Sequence, residues 1–173
     1  MNLEKTMKNR TTRFLNILYV VLVLLFFLDG FTGFDIKAQA IKTFVYIGFL
    51  VGSPFMLMWN FFVFNPIFKR VIWTLFPAIM LVFIIITSPL KILFSSSSWH
   101  TQSILYQSRH SRFKTIEFQM QDIGALGYNE RKVEVQYLTP YFMIAKVTPN
   151  TAAIGSEWIS VEKDVNELGL KFP

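Results

Sequence analysis

The sequence predicts a membrane protein with three transmembrane α-helices followed by a small antiparallel β-rich (α+β) domain. Three long apolar stretches and fifteen of the nineteen phenylalanines lie within the first 94 of 173 residues. After residue 94 the apolar residues recur with a period of two, which is typical of half-buried strands. The chain is 53% apolar and 16% charged, whereas soluble domains are about 45–50% apolar and about 25% charged. Residues 1–94 are therefore predicted to form the membrane domain.

Each apolar stretch is long enough to cross a bilayer as a helix. The predicted spans cover about residues 14–34, 43–64 and 70–90. Some 20 residues at a rise of ~1.5 Å match the ~30 Å hydrocarbon layer. A soluble helical bundle is disfavoured, because too little polar sequence remains to cover three helices that are apolar on all sides.

The first stretch also has features of a signal peptide. A basic tail precedes it, and Ala38-Gln39-Ala40 follows as an A-x-A cleavage motif. Residues 29–37 separate the apolar run from that motif, which is a longer spacing than cleavage normally uses. Cleavage would leave two spans and would not alter the side on which the C-terminal part lies.

The flanking charges predict the orientation. Six cations precede the first stretch or lie in the short loop between the second and third: Lys5, Lys8, Arg10, Arg13, Lys69 and Arg70. Residues 29–42, which join the apolar run that ends at Leu28 to the second stretch, carry two cations and two anions. Because Lys and Arg accumulate in cytoplasmic loops, we expect a cytoplasmic N-terminus and an extracytoplasmic segment 95–173, in a bacterial inner membrane.

Polar, small and aromatic residues mark positions within the spans. Gly48 and Gly52 form a small-xxx-small pair that allows close helix packing, and Asn60 can hydrogen-bond a neighbouring helix. Trp59 and Trp73 lie near the cytoplasmic ends, where interfacial anchors are expected. No ionisable residue lies deep in any stretch, which argues against a transporter or channel.

The remaining segment alternates in polarity. Residues 95–98 are serines and are predicted to form a flexible tether before a β-meander domain over residues 99–173. Strands are expected at 104–109, 113–121, 131–139, 141–147 and 157–161. A short helix is expected at 162–168, capped by Ser160 and closed by Gly169. This helix, the membrane surface or a partner would cover the single apolar face of the sheet.

The net charge of +6 belongs to the membrane half. Residues 1–94 hold nine cations and three anions, and residues 95–173 hold eight of each. The basic excess therefore indicates orientation, and no nucleic-acid partner is expected.

The sequence contains no recognisable catalytic, metal or cofactor motif. It has no cysteine, and its two histidines, His100 and His110, do not have the spacing of a zinc site. Asp29 and Asp35 do not follow a calcium-loop pattern. Ser97, His100 and Asp122 could be combined into a catalytic set, but nothing in their spacing favours one. We expect no cofactor and no enzymatic activity.

Two further features of the C-terminal segment suggest contacts with anions or with the membrane surface. Arg109, His110, Arg112 and Lys114 form a basic cluster that could contact an anion or a lipid headgroup, or be a solvated hairpin tip. Trp99 is predicted to be an interfacial anchor.

The favoured function is that of a non-catalytic accessory subunit. Its partners would be the lipid bilayer and another membrane or envelope protein, bound through the sheet face or an exposed strand edge. One alternative is an immunity protein that intercepts a membrane-active toxin. Another is an envelope or lipid-modifying enzyme that uses His100 and His110.

Overall fold

The computed structural model describes residues 2–64, 66–147 and 157–170, with side chains from residue 10 onwards. The chain divides into two compact units. The helical unit comprises residues 1–27 and 43–96, and the sheet unit comprises residues 28–42 and 97–173. The loop at 28–42, which was predicted to belong to the membrane domain, thus belongs to the sheet unit.

The helices are α1 (Asn2–Phe31), α2 (Gln39–Val63), α3 (Ile67–Thr87) and α4 (Pro89–Phe94). Arg10–Phe31, α2 and α3 are each long and apolar enough to cross a membrane. This agrees with the three predicted stretches. The third helix stops earlier than predicted, at Ser88, because a proline disfavours the α conformation of the residue before it.

An aromatic cluster forms the centre of the helical unit. Phe26 of α1 stacks on Phe49 of α2 with ring centroids 4.1 Å apart, and it meets Tyr46 edge-on at 5.0 Å. Phe83 of α3 lies 6.3 Å from Phe49. The phenylalanine enrichment of this half therefore supplies the contacts among all three long helices.

The sheet unit contains one six-stranded antiparallel sheet. Its strands are β1 (Phe34–Ile36), β2 (Trp99–Ser108), β3 (Lys114–Asp122), β4 (Tyr128–Tyr137), β5 (Phe142–Val147) and β6 (Trp158–Asp164). They lie in the order β1-β5-β4-β3-β2-β6. Strands β2 to β5 form the predicted meander. The loop strand β1 closes one edge, and β6 returns to lie beside β2.

The apolar residues of β3 and β4 lie on opposite faces of the sheet. Ile116 pairs with Glu134, and Glu117 pairs with Val133. The prediction of one apolar face is therefore wrong: alternation assigns faces within a strand, but the register between strands is set by the connecting turn, here a 3₁₀ helix over Gly124–Leu126.

The face that carries Glu117 and Val133 is called the inner face. Its apolar core is small, with Val133, Val135 and Met143 fully buried. Trp99, Tyr137 and Ala145 pack against these three residues. The limited core agrees with the small size of the unit.

Buried ion pairs attach the loop strand β1 to this face. Asp35 accepts a hydrogen bond from Arg131 Nη2 at 2.5 Å and another from Lys42 Nζ at 3.3 Å. Lys42 also pairs with Asp29 at 3.2 Å. The loop that appeared neutral in the sequence is therefore held to the sheet by opposite charges placed in contact.

Two predictions about the ends of the sheet unit are wrong. Residues 162–168 form no helix: β6 runs on to Asp164, and the Val165 and Asn166 N–H groups both donate to Gln102 O at 2.9 Å. These two N–H groups therefore bond to β2 and are not available for hydrogen bonds within a helix. The serines at 95–98 are not a free tether either, because Ser98 is fully buried and its N–H donates to Gln39 Oε1 at 2.6 Å.

Candidate functional site

The β6 strand leaves one long edge of the sheet open. It pairs with β2 on one side, and no strand of the described residues pairs with its other side. The opposite edge is the three-residue strand β1. Glu162 has a φ of 46° and lies within an irregularity of the β2–β6 pairing. Such an irregularity bends the strand and interrupts its regular edge at this residue. The regular open edge is therefore Trp158–Val161.

The hydrogen-bond pattern identifies which backbone groups of β6 are free. Arg109 N–H donates to Glu157 O at 2.9 Å, and Ile159 is paired with Gln107 two residues further on. Because antiparallel pairs alternate between bonded and non-bonded, the backbone groups of Trp158 and Ser160 point away from β2. An added strand would bond to these groups.

A cavity of about 270 Å³ opens on the inner face beside this edge. Val161 and Lys163 of β6 line it, together with residues of β2, β3 and β4 and with Lys37 of the loop. We call Trp158–Val161 and this cavity together the edge site. An edge strand bordered by a side-chain pocket is the arrangement that proteins use to bind extended peptides.

Glu117 forms part of the cavity wall and is fully satisfied. Glu117 is 1% exposed, and its carboxylate accepts hydrogen bonds from the hydroxyls of Thr101 and Thr115 at 2.7 Å. The amide of Gln119 donates at 2.9 Å, as does the hydroxyl of Tyr137. Four donors compensate the desolvation of this buried charge, so Glu117 can serve as a fixed part of the cavity wall.

Tyr137 and Lys37 continue the network towards Glu167. Burial, followed by the charge of Glu117, raises the pKa of Tyr137. Burial acts to lower the pKa of Lys37, but the hydrogen bonds to Glu167 and Tyr137 outweigh it and the Lys37 pKa is raised. Lys37 Nζ lies 2.9 Å from Glu167 Oε1 and 3.2 Å from the Tyr137 hydroxyl. Tyr137 is therefore a neutral donor and Lys37 a cation at neutral pH.

Two further cations, Arg112 and Lys163, line the cavity. Both are exposed, and neither forms an ion pair with any residue of the described ranges. Glu117 and Glu167 already have partners. The uncompensated charge of the cavity is thus positive, which favours an acidic side chain of a ligand.

Ser98, His100 and Glu167 come together in a way that superficially suggests a catalytic triad. Ser98 Oγ lies 3.2 Å from His100 Nε2, and His100 Nδ1 lies 3.9 Å from Glu167 Oε2. The second distance exceeds a hydrogen bond, and Glu167 Oε2 already accepts the Thr101 N–H at 2.8 Å. Because Ser98 has no exposed surface, its hydroxyl cannot reach a substrate in this conformation. The combination of Ser97, His100 and Asp122, which nothing in the sequence favoured, forms no hydrogen bond or ion pair among its members in the described part of the chain.

No group of three or more potential metal-binding side chains occurs among the described residues. Asp29 and Asp35 are instead engaged by Lys42.

The predicted basic cluster is divided by the sheet. Arg112 lines the edge site, whereas Lys114 pairs with Glu134 at 2.9 Å and lies over the Trp158 ring at 5.2 Å. Arg109 and His110 are exposed in the β2–β3 turn. The four residues therefore do not converge on one ligand: Arg112 lies in the turn before β3 and borders the cavity, whereas Lys114 begins β3 and pairs with Glu134.

The residues predicted for helix packing lie against α1. A Cβ added at Gly48 would be 2.8 Å from Leu22 Cδ1, and one added at Gly52 would be 3.2 Å from Tyr19 Cδ2. Asn60 and Asn16 exchange side-chain hydrogen bonds of 3.0 and 3.1 Å. The helix that packs closely against Gly48, Gly52 and Asn60 of α2 is therefore α1 of the same chain.

The three predicted interfacial tryptophans have different surroundings. Trp59 donates to the Thr12 hydroxyl at 3.4 Å, and Trp73 stacks on Phe64 at 5.8 Å. Trp99 differs from its prediction: β2 begins at this residue, and its side chain packs on the inner-face core with the Arg131 guanidinium 4.0 Å from its ring centroid.

Sequence reasoning missed the residues that build the edge site. Lys37 meets Tyr137 across 100 positions, and Glu167 meets Thr101 across 66. Each is an ordinary polar residue in its local context, and only the sheet order brings them together. The signal available in the sequence was the row of polar residues on one face of β3, namely Thr115, Glu117, Gln119 and Gln121.

Comparison with known proteins gives no family assignment: no protein-family model, no curated protein and no solved structure matches the chain.

Proposed function

We propose that the chain is a non-catalytic subunit of a membrane complex in a bacterial inner membrane, with its N-terminus in the cytoplasm and the sheet unit outside. The sheet unit binds an extended segment of another membrane or envelope protein along Trp158–Val161. The observation that carries the proposal is an open edge strand bordered by a polar cavity.

Membrane placement is supported by three helices of sufficient length and hydropathy. Orientation is supported by the positive charge that flanks α1 and the α2–α3 loop, since such charges accumulate on the cytoplasmic side. Three crossings then place residues 97–173 on the other side.

Peptide binding is supported by both parts of the edge site. The outward backbone groups of Trp158 and Ser160 supply ladder hydrogen bonds, which provide affinity independent of sequence. The cavity can receive one side chain of the added strand, and Arg112 and Lys163 favour an acidic one. The expected ligand is therefore an extended segment with an acidic residue facing the inner side.

A pair of substitutions at one residue tests the proposal. Ser160→Pro removes the outward N–H and leaves the β2 ladder intact, because proline is tolerated on an edge strand when its missing donor faces solvent. Ser160→Ala keeps that N–H and is the matched control. The full chain, crosslinked in native membranes and purified in mild detergent, should retain a partner as wild type and as Ser160→Ala, and lose it as Ser160→Pro.

Charge variants test the cavity separately. Arg112→Gln and Lys163→Gln should each weaken retention of that partner, whereas Lys132→Gln, a change of the same charge outside the cavity, should not. Equal retention by wild type and Ser160→Pro, or a wild-type chain that is a bare monomer at every concentration, contradicts the proposal. Unchanged unfolding of each variant shows that a loss concerns binding.

A further inference from the structure

The helical unit contains a second cavity with a different composition. This groove of about 520 Å³ runs between α1 and α3 and is lined by Arg13, Ile17, Val20, Val21, Lys69 and Trp73, among others. Its walls are mainly apolar, and its cations come from two helices. None of the contacts proposed for the edge site involves it.

Along α1, the charged part of the groove lies at Arg13 and the apolar part follows it in the C-terminal direction. Ile17, Val20 and Val21 follow Arg13 by four, seven and eight residues, which places them on one helix face. At ~1.5 Å per residue this face continues for ~12 Å beyond Arg13. On α3, Trp73 follows Lys69 by four residues and lies one turn away. The groove thus has a cationic end and an apolar continuation.

Neither cation has a counter-charge among the described residues. Arg13 and Lys69 are exposed, and no carboxylate within residues 10–64, 66–147 and 157–170 pairs with either. By contrast Arg70, next in sequence, donates its Nε–H to Phe64 O at 3.0 Å and lies over the Phe61 ring. Arg13 and Lys69, which line the groove, are therefore available to bind an anionic ligand, whereas Arg70 is already engaged.

We propose that this groove binds one anionic phospholipid, with its phosphate between Arg13 and Lys69 and an acyl chain along Ile17, Val20 and Val21. Charge complementarity selects a phospholipid with a net negative headgroup over a zwitterionic one, since basic pockets between membrane helices recognise anionic headgroups. The inference requires that the helical unit lie in a membrane, and it is independent of partner binding by the sheet unit.

Trp73 offers a direct readout, because its half-exposed ring lies in the groove. The full chain would be placed in nanodiscs that contain phosphatidylglycerol with brominated acyl chains among unlabelled phosphatidylcholine. The reciprocal sample carries bromine on phosphatidylcholine at the same mole fraction. Fluorescence quenching should be several-fold stronger with brominated phosphatidylglycerol, and the excess should disappear in Trp73→Phe but persist in Trp59→Phe.

Removing the cations tests the headgroup site. Arg13→Gln and Lys69→Gln should each reduce the preference for phosphatidylglycerol about fivefold, the ratio that corresponds to ~1 kcal/mol per basic residue. Arg10→Gln removes the same charge from the same helix but not from the groove, and should have little effect. Arg13→Lys keeps the charge and should retain the preference.

Three results would overturn the proposal. The first is equal quenching by the two brominated lipids. The second is an equal loss of preference in Arg10→Gln, which would indicate general attraction to an anionic surface. The third is efficient disulfide crosslinking of Ile17→Cys chains to one another in the bilayer, which would show a second copy of α1 in the groove. None of these results depends on whether Ser160→Pro loses its partner.

Discussion

The helical unit and the sheet unit bury different kinds of polar group. Among the described residues of the helical unit the buried polar contacts are uncharged: Asn16 pairs with Asn60, and the Tyr19 hydroxyl lies 2.8 Å from the Ser53 hydroxyl. In the sheet unit the buried contacts include the charges of Asp35, Lys42 and Glu117. Uncharged pairs suit helices in hydrocarbon, whereas charged networks suit a unit that folds in water. The difference supports the proposed placement of the two units.

The largest effect is expected from Asp35→Ala. This change leaves the buried cation of Lys42 and the guanidinium of Arg131 without their shared carboxylate, and breaking such a pair costs about 3–5 kcal/mol. Chemical unfolding of the sheet unit in nanodiscs would measure the loss. Lys114→Ala is the control, because the Lys114–Glu134 pair is about one third exposed and such pairs contribute about 0–1 kcal/mol. Equal losses would contradict a special role of the buried network.

The next largest effect concerns helix packing. Gly48→Ile places new atoms where Leu22 Cδ1 already lies, and overpacking of this kind costs about 1–3 kcal/mol. Val51→Leu enlarges an exposed position of the same helix and should have almost no effect. Unfolding of the helical unit by SDS titration would compare them. An unaltered Gly48→Ile variant would show that α1 does not pack there.

The uncharged pair should have a smaller effect, and one that is not additive. Asn60→Leu removes the bonds to Asn16 and to Trp73 O, and we expect a loss of about 1 kcal/mol. Asn16→Leu combined with Asn60→Leu should destabilise less than the sum of the single changes, because no amide is then left unpaired. A double-mutant cycle by SDS titration measures this. Strict additivity would mean that the two side chains do not interact.

One buried polar group should give an effect of the opposite sign. Gln102 is 3% exposed, and its side-chain amide has no hydrogen-bond partner among the described residues. Replacing an unsatisfied amide with an apolar group of similar shape should stabilise the sheet unit by about 1 kcal/mol in Gln102→Met. Gln119→Met is the comparison, since Gln119 bonds both Glu117 and Arg131 and its loss should destabilise. A destabilised Gln102→Met would show that the amide is satisfied.

The smallest effect is a dependence on alkaline pH. The pKa values of Lys37 and Tyr137 are raised in the folded state above their ordinary values of 10.5 and 10.0. The folded state therefore retains protons that the unfolded chain releases, and stability falls as pH rises above about 10. Unfolding of the sheet unit at a series of pH values should show a shallower decline in Lys37→Met than in wild type. Identical slopes of stability against pH in the two proteins would show that Lys37 does not contribute to the pH dependence.

Local pattern predicted the helices and most strands of this fold. The three apolar stretches became helices because their composition leaves no other arrangement, and β3, β4 and β5 lie within a few residues of their predicted positions. Residues 99–103 were not expected in β2, and the helix predicted at 162–168 is replaced by the end of β6 and a turn. In both cases pairing with a distant strand determined the structure.

The edge site could not be predicted because it depends on register and on contacts far apart in sequence. The alternation in β3 placed Glu117 on the polar face of that strand. Only the register between β3 and β4 shows that this face also carries Val133 and Val135 of β4. Similarly, Asp35 and Lys37 appeared as a balanced loop charge. Their partners Arg131 and Glu167 lie 96 and 130 residues further along the chain, and no local signal joins them.

Labelling of single cysteines tests the central claim that the sheet unit lies across the membrane from the N-terminus. The chain has no native cysteine, so Arg10→Cys, Phe68→Cys and His110→Cys each introduce one exposed thiol. With a membrane-impermeant maleimide on intact spheroplasts, the His110→Cys variant should be labelled at once. The other two should react only after permeabilisation. Labelling of Arg10→Cys and Phe68→Cys in intact spheroplasts, with His110→Cys protected, would contradict the proposed topology.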